Sequence, residues 1–417
     1  MATRTPLLLT VATLGVGLTL AAGGPGFAGS APHRATSFAF QGTGFGTRVN
    51  GGQIPASSST TSYQHLGCTN LAGRDKSNDV AHVKVPGLGT ASGVKTRTWT
   101  TLRHGVAAVH SSHSIADLTV ASSGVGSLTI DAIHSVSKAF HDGSGFHSTT
   151  ATTVGDLTFK PTTGPRQTFP APTPDQPITI PGLATITLGR SSRQHGSLGA
   201  TASADALVVD VVATGTLVTI AHTRASIGAG LTSGTFRGHS NATRVVTALT
   251  DLAHSGPQPL SLMGCLGTRG HLVTKSIAGV TLGGQLVVKG LSSSQRASQD
   301  SRAHGFEQAS IARINLGHGQ LVVNGIVGRA TVAQTAHGLA RSAKGTRLGS
   351  ITAGGKTLRF PRTGVLEIPG VAKLERHVVT RSKIGIKVVA LRLTVLDGSG
   401  AVINLGEAQL QVHRLSH

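Results

Sequence analysis

Apolar and polar residues alternate with period two through much of the chain beyond residue 30. Ala116, Leu118 and Val120 share one apolar phase, and Ala312, Ile314 and Leu316 repeat it. The triplets Ile178-Thr179-Ile180, Ile186-Thr187-Leu188, Leu358-Arg359-Phe360 and Leu366-Glu367-Ile368 alternate as well. Period two puts every second side chain on one face of a pleated strand, so these segments predict half-buried β-strands. Two continuous runs, Leu207-Val208-Val209-Asp210-Val211-Val212 and Val388-Val389-Ala390-Leu391, predict strands buried on both faces. No long stretch combines a 3.6-residue period with helix caps, and clusters of Gly, Ser, Asn and Pro separate the runs. The pattern predicts an all-β fold of sandwich-like antiparallel sheets. A β-solenoid is the alternative topology, but no 20–30-residue period supports it.

The pattern occurs twice. Phe40 and Thr47-Arg48-Val49 return as Phe236 and Thr243-Arg244-Val245, and Leu66-Gly67-Cys68 returns as Met263-Gly264-Cys265. Ile115-Ala116-Asp117-Leu118-Thr119-Val120 matches Ile311-Ala312-Arg313-Ile314-Asn315-Leu316, and Ile180-Pro181-Gly182-Leu183-Ala184 matches Ile368-Pro369-Gly370-Val371-Ala372. Leu157-Thr158-Phe159 pairs by similarity with Leu358-Arg359-Phe360, which makes the Pro-rich stretch at about 161–181 an insertion in the first copy. Ordered matches of this kind predict two tandem homologous domains, 35–230 and 231–417.

Residues 1–30 read as an export signal: Arg4, then the uncharged apolar run Pro6 to Ala22, then small residues suited to cleavage after Ala28 or Ser30. No further apolar run is long enough to span a membrane, and the terminal EAQLQVHRLSH is polar and basic. Phe360-Pro361-Arg362-Thr363-Gly364 resembles a sortase signal but lacks its leading Leu and a following span, so it is expected to be a turn. These features predict a secreted protein, extracellular or associated with the cell wall.

The repeated unit opens, in its first copy, with an aromatic and glycine stretch, Ser37-Phe38-Ala39-Phe40 and then Gly42-Thr43-Gly44-Phe45-Gly46. The first copy closes with Ala206-Leu207-Val208-Val209 and Leu217-Val218-Thr219-Ile220-Ala221. In this order and pattern it resembles the secreted actinobacterial proteins of the choice-of-anchor P family. The resemblance implies an exported, surface-associated protein without a defined activity. The chain departs from the family by carrying the unit twice and by showing no C-terminal anchor.

Composition narrows the chemistry. The 417 residues include only two cysteines, Cys68 and Cys265, at equivalent places in the two copies. An inter-domain disulfide and two separate buried thiols are both open readings. Twenty histidines lack metal-ligand spacing; His110 and His113 fall on opposite faces of a strand, and His141 and His147 flank a glycine-rich turn. They are expected to be solvated imidazoles that add positive charge in acid. No Gly-x-Ser-x-Gly elbow, HExxH helix or dinucleotide loop is present; in Gly42-Thr43-Gly44-Phe45-Gly46 the third glycine falls one place early. No catalytic, cofactor-binding or metal-ligating residue is therefore assigned. The 37 Lys and Arg against 16 Asp and Glu give a net charge of +21. Such a field attracts polyanions, with anionic cell-wall polymers the expected partners; sparse aromatics and missing helix-turn-helix patterns argue against sequence-specific nucleic-acid recognition. The expected function is a non-enzymatic structural or adhesive protein of the cell envelope, retained by basic surface charge. A glycan- or ligand-binding module is the alternative, and an extracellular hydrolase the third.

Overall fold

The computed structural model describes residues 33–415 apart from 52–59, 86, 123, 213–214, 248–257, 283–284, 336, 397 and 399. The export signal expected at residues 1–30 lies outside them. From His33 onward the chain forms one compact unit.

The first half begins with seven strands: β1 (Arg34–Gly51), β2 (Gln64–Ala72), β3 (Asp75–Val85), β4 (Gly89–Arg103), β5 (Val106–Ser122), β6 (Gly126–Asp142) and β7 (Gly145–Thr153). Shorter ones follow: β8 (Leu157–Pro161), β9 (Gln167–Phe169), β10 (Ile178–Ile180), β11 (Ala184–Leu188) and β12 (Ser191–Gly196). The long β13 (Gly199–Val211) and β14 (Thr216–Gly228) close it. The second half runs through β15 (Thr235–Thr247), β16 (Gln258–Leu262), β17 (Val273–Leu282), β18 (Leu286–Gln299), β19 (Ala303–Leu316) and β20 (Leu321–Thr335). It continues with β21 (Gly338–Ser342), β22 (Ile351–Ala353), β23 (Lys356–Leu358) and β24 (Val365–Ile368). Its last strands are β25 (Ala372–Ser382), β26 (Gly385–Val395) and β27 (Val402–His413). The fold is all-β, with one 3₁₀ turn at Gly317–Gly319 among the described residues.

In the first half, a sheet ordered β10-β11-β13-β14-β1-β2 faces one ordered β3-β4-β5-β6-β8-β9, with β12 added to β13 and β7 to β6. The second half repeats both orders strand for strand, as β24-β25-β26-β27-β15-β16 and β17-β18-β19-β20-β22-β23, with β21 added to β20. The uninterrupted β25 covers the places that β11 and β12 hold separately. Two packed antiparallel sheets with alternating strands give each half a buried interior between them.

Each interior has two apolar clusters with a polar layer between them along the strands. On β5, Val109 belongs to one cluster and Ile115 to the other, with Ser111 and His113 buried between. On β19, Ala303 and Ile311 flank the buried Glu307 in the same way.

The strand phase departs from simple alternation at one equivalent place in each half. Ile115 and Ile311 are buried, whereas Ala116 and Ala312 are exposed. Opposite them Gly93 and Gly290 adopt φ of +57° and +62°, and a Cβ on either would stand 2.7 Å from the alanine Cβ. The register is unbroken through this row, so the phase shifts on the paired strands together, and Ala116 and Ala312 leave the core face on which Leu118 and Ile314 remain. The run 207–212 proves half-buried: Val208 is partly exposed and Val212 is 55% exposed. Val388 through Leu391 are buried on both faces, as the continuous apolar run suggests.

Register also relocates the longer loop of the first half. Phe169 stands opposite Leu157, and Leu358 stands opposite Ile351. Leu358 is thus the counterpart of Phe169, and the additional residues of the first half fall between β8 and β9.

Candidate functional site

The structure places Cys68, on β2, in a disulfide with Cys265, in the turn after β16; their Cα atoms are 5.1 Å apart and 197 positions separate them in sequence. Around the bond the Thr235 hydroxyl donates to the Cys68 carbonyl, and the Phe236 amide donates to the Cys265 carbonyl. Two equivalent positions of the repeat meet here, so the bond joins the two halves.

Three histidines, His65, His110 and His113, differ from the expectation of solvated rings, whereas others such as His82 and His104 are exposed. His113 is buried, its Nδ1 2.7 Å from the Thr96 hydroxyl, and its Nε2 has no hydrogen-bond partner. Burial holds its pKa down at about 3. His110 points to the opposite face and stacks on Trp99 at 4.7 Å, and burial lowers its pKa to about 4, as it does for His65. These three rings add no charge in mild acid because low-dielectric surroundings disfavour the imidazolium. His141 and His147 also diverge: His141 packs on Phe38 and Phe146, whereas His147 reaches the β6–β7 turn. Among the described residues no group of three or more His, Cys, Asp or Glu converges as metal ligands would.

That turn assembles Asp142, Ser144 and His147 without the geometry of a hydrolytic triad. The Ser144 hydroxyl lies 2.9 Å from His147 Nε2, and Asp142 Oδ1 is 3.1 Å from the same nitrogen. In a triad the carboxylate and hydroxyl engage different ring nitrogens, so that one orients the ring while the other exchanges a proton. Here Asp142 accepts from both the hydroxyl and the amide of Ser144, and these bonds hold its pKa at about 2. The arrangement caps an exposed hairpin.

Charge is where the two halves diverge. Residues 33–230 carry 14 Lys and Arg against 9 Asp and Glu, a surplus of 5, while residues 231–417 carry 22 against 7, a surplus of 15. The row beside these glycines shows the divergence on equivalent positions. In the first half, cross-strand pairing lines up Ser92, Asp117 and Asp131. In the second, the same row reads Lys289, Arg313 and Asn324. Burial and the neighbouring Asp117 raise the pKa of Asp131. Elsewhere on that first-half sheet two cations have acids beside them, Lys95 with Asp79 at 3.4 Å and Arg97 with Asp75.

Among the described residues the second-half counterpart of this sheet has no such pairing. Lys289 and Arg313 are directly opposed and exposed, and Arg296 and Arg329 extend the same face. Among the described residues none of the four has a carboxylate within ion-pair distance; Arg329 lies over the Phe306 ring at 3.9 Å and donates to Gln308. Like charges directly opposed across a ladder are destabilising, so this row holds an unneutralised charge at some cost to the sheet. The sign reversal is present in the repeated hexapeptide, where Asp117 becomes Arg313. Net charge alone does not reveal it, because pairing by register is needed to put Lys289 beside Arg313.

The opposite sheet of the second half gathers several of its cations around one carboxylate. Glu407, 0% exposed, takes Lys387 at 3.0 Å, His239 at 3.1 Å and Arg244 at 3.5 Å, and accepts from the Asn404 amide at 2.6 Å. Burial alone would raise its pKa, but the hydrogen bond from His239 and the charge of Lys387 overcome it and hold the carboxyl at about 2. This cluster ties β15, β26 and β27 together.

No helix among the described residues is long and apolar enough to cross a membrane. No protein-family model, curated protein or solved structure matches the chain.

Proposed function

We propose that this protein is exported and non-enzymatic, and that it is held at the cell envelope by attraction between its second half and anionic cell-wall polymers. The observation that carries this reading is the unpaired cationic face around Lys289 and Arg313, set on a sheet whose first-half counterpart has Ser92 and Asp117 in those places and pairs Lys95 and Arg97 with acids. A regular β-face presents cations at fixed spacing, which suits a repeating polyanion better than a compact ligand, and binding would be weakened by salt. Two further features support it: a disulfide persists in an oxidising exterior, and the resemblance to choice-of-anchor P proteins implies surface association.

Fractionation of the producing culture tests the reading. Recovery of the protein with the wall, and its release by a high-salt wash of intact cells, is the expected result. Protein found free in the medium, or wall-bound protein that resists salt, would overturn electrostatic retention.

A further inference from the structure

One end of the first sandwich is closed by rings. Phe38 and His141 lie 4.7 Å apart, His141 and Phe146 4.6 Å, and Phe38 meets Phe146 edge-on at 5.8 Å. Register assigns their second-half counterparts as Gly234, Gln334 and Leu339. A side chain cannot be restored at Gly234, where a Cβ would stand 2.7 Å from the His413 carbonyl oxygen. Gln334 turns to the backbone, its amide donating to the Ser233 carbonyl and its oxygen accepting from the Ala303 amide. With the rings gone, a cleft of about 850 Å³ opens between β21, the β25–β26 hairpin and the end of β27.

The cleft is amphiphilic. Leu339, Ile384 and Val412 form its apolar part, continuous with the core cluster that contains Val412. Arg341, Arg381, Lys383 and Arg414 line it too, and no acidic residue does. A smaller adjoining cavity shares Gln334 and Arg414 and adds Arg302. Arg341 is half-buried, and its Nε is buried without a hydrogen-bond partner, so one donor of its guanidinium is left unanswered at the cleft. A cavity of this size with an apolar floor and a few convergent charges has the make-up of a small-molecule site. An inorganic anion would leave the apolar floor unused, and a neutral chain would leave the cations unanswered. Guanidinium groups are suited to phosphate oxygens through charge-assisted hydrogen bonds.

We propose that this cleft binds a single-chain amphiphile with a phosphate headgroup, the chain against Leu339, Ile384 and Val412 and the phosphate among Arg341, Arg381, Lys383 and Arg414. The site is separate from the polymer-binding face at Lys289 and Arg313, so either reading can fail without the other.

Isothermal titration of the full chain with monomeric dodecyl phosphate, below its micelle concentration, tests the site. Saturable one-to-one binding is expected, with dodecyl maltoside and inorganic phosphate each at least about tenfold weaker. Arg341→Gln combined with Lys383→Gln should weaken binding by about tenfold or more. Leu339→Phe, which restores a ring of the first-half plug, should weaken it as well, and Arg313→Gln should not change it. Lys383→Gln alone alters an exposed hairpin turn and keeps the test valid if the double variant fails to fold. Equal affinity for dodecyl maltoside or for inorganic phosphate, or unchanged affinity in Lys383→Gln and the double variant, would overturn the proposal.

Discussion

The two halves share a strand order and differ in what they leave unsatisfied. The first half fills and pairs: Phe38, His141 and Phe146 close the sandwich end, and Asp75 and Asp79 answer Arg97 and Lys95. The second opens the equivalent end and leaves Lys289 and Arg313 facing each other without an acid. The strand scaffold is common, so these differences arise from side chains that the scaffold does not require. A fold can carry a site on one copy of a duplicated unit while the other copy remains a spacer or a brace.

The strongest test of the comparison asks whether the halves act as one body. Replacing both cysteines, Cys68→Ser with Cys265→Ser, releases a link across 197 positions, and loop-closure entropy places the expected loss near 5 kcal/mol. Urea unfolding of the oxidised wild type and the double variant measures it. Two separate transitions with unchanged midpoints would show halves that fold independently of the bond.

Removing the buried hub of the second half should cost less. Glu407→Ala leaves Lys387, His239 and Arg244 without their shared carboxylate, for an expected loss of about 3 kcal/mol. In the wild type the Glu407 contribution is complete above the ordinary carboxyl pKa of 4.5 and declines as pH falls toward about 2. Stability measured against pH should therefore lose this step in Glu407→Gln.

The polar layers give opposite pH responses. His113 is held neutral down to about pH 3, so the folded chain binds fewer protons than the unfolded one below pH 6.5, and stability falls with acid by about 3 kcal/mol at pH 4. Glu307 behaves in the reverse sense. Burial raises its pKa well above 4.5 against the hydrogen bond from Ser240, so it holds a proton that the unfolded chain releases. Stability from this group is greatest below pH 4.5 and declines as pH rises through the folded pKa. Thermal melts across pH should show the acid loss reduced in His113→Leu and the loss at higher pH reduced in Glu307→Gln; equal profiles for wild type and either variant would contradict the assignment.

How much of this is legible in sequence follows from what each feature depends on. The all-β class and its duplication are visible because alternation and repeated segments are local properties. The phase at Ala116 and Ala312 is not, since the shift depends on left-handed glycines on the neighbouring strand, Gly93 and Gly290. His113 and Glu307 look like ordinary surface residues until the facing sheet buries them. The aromatic plug and its missing counterpart bring together residues more than 100 positions apart, which periodicity cannot join. Asp117 against Arg313 is the exception, a reversal of charge readable directly from the repeat.

The smallest structural effect carries the functional claim. Lys289→Glu should leave stability unchanged or raise it by about 0.5 kcal/mol, because it turns an opposed pair of like charges into one of opposite sign. The most direct measurement is binding of purified anionic wall polymer to wild type, to Lys289→Glu with Arg313→Glu, and to a first-half control, Lys95→Glu, over a series of salt concentrations. The account predicts that the second-half variant binds much more weakly with a shallower salt dependence, and that the control stays close to wild type. Equal losses from both halves, or binding indifferent to salt, would contradict it.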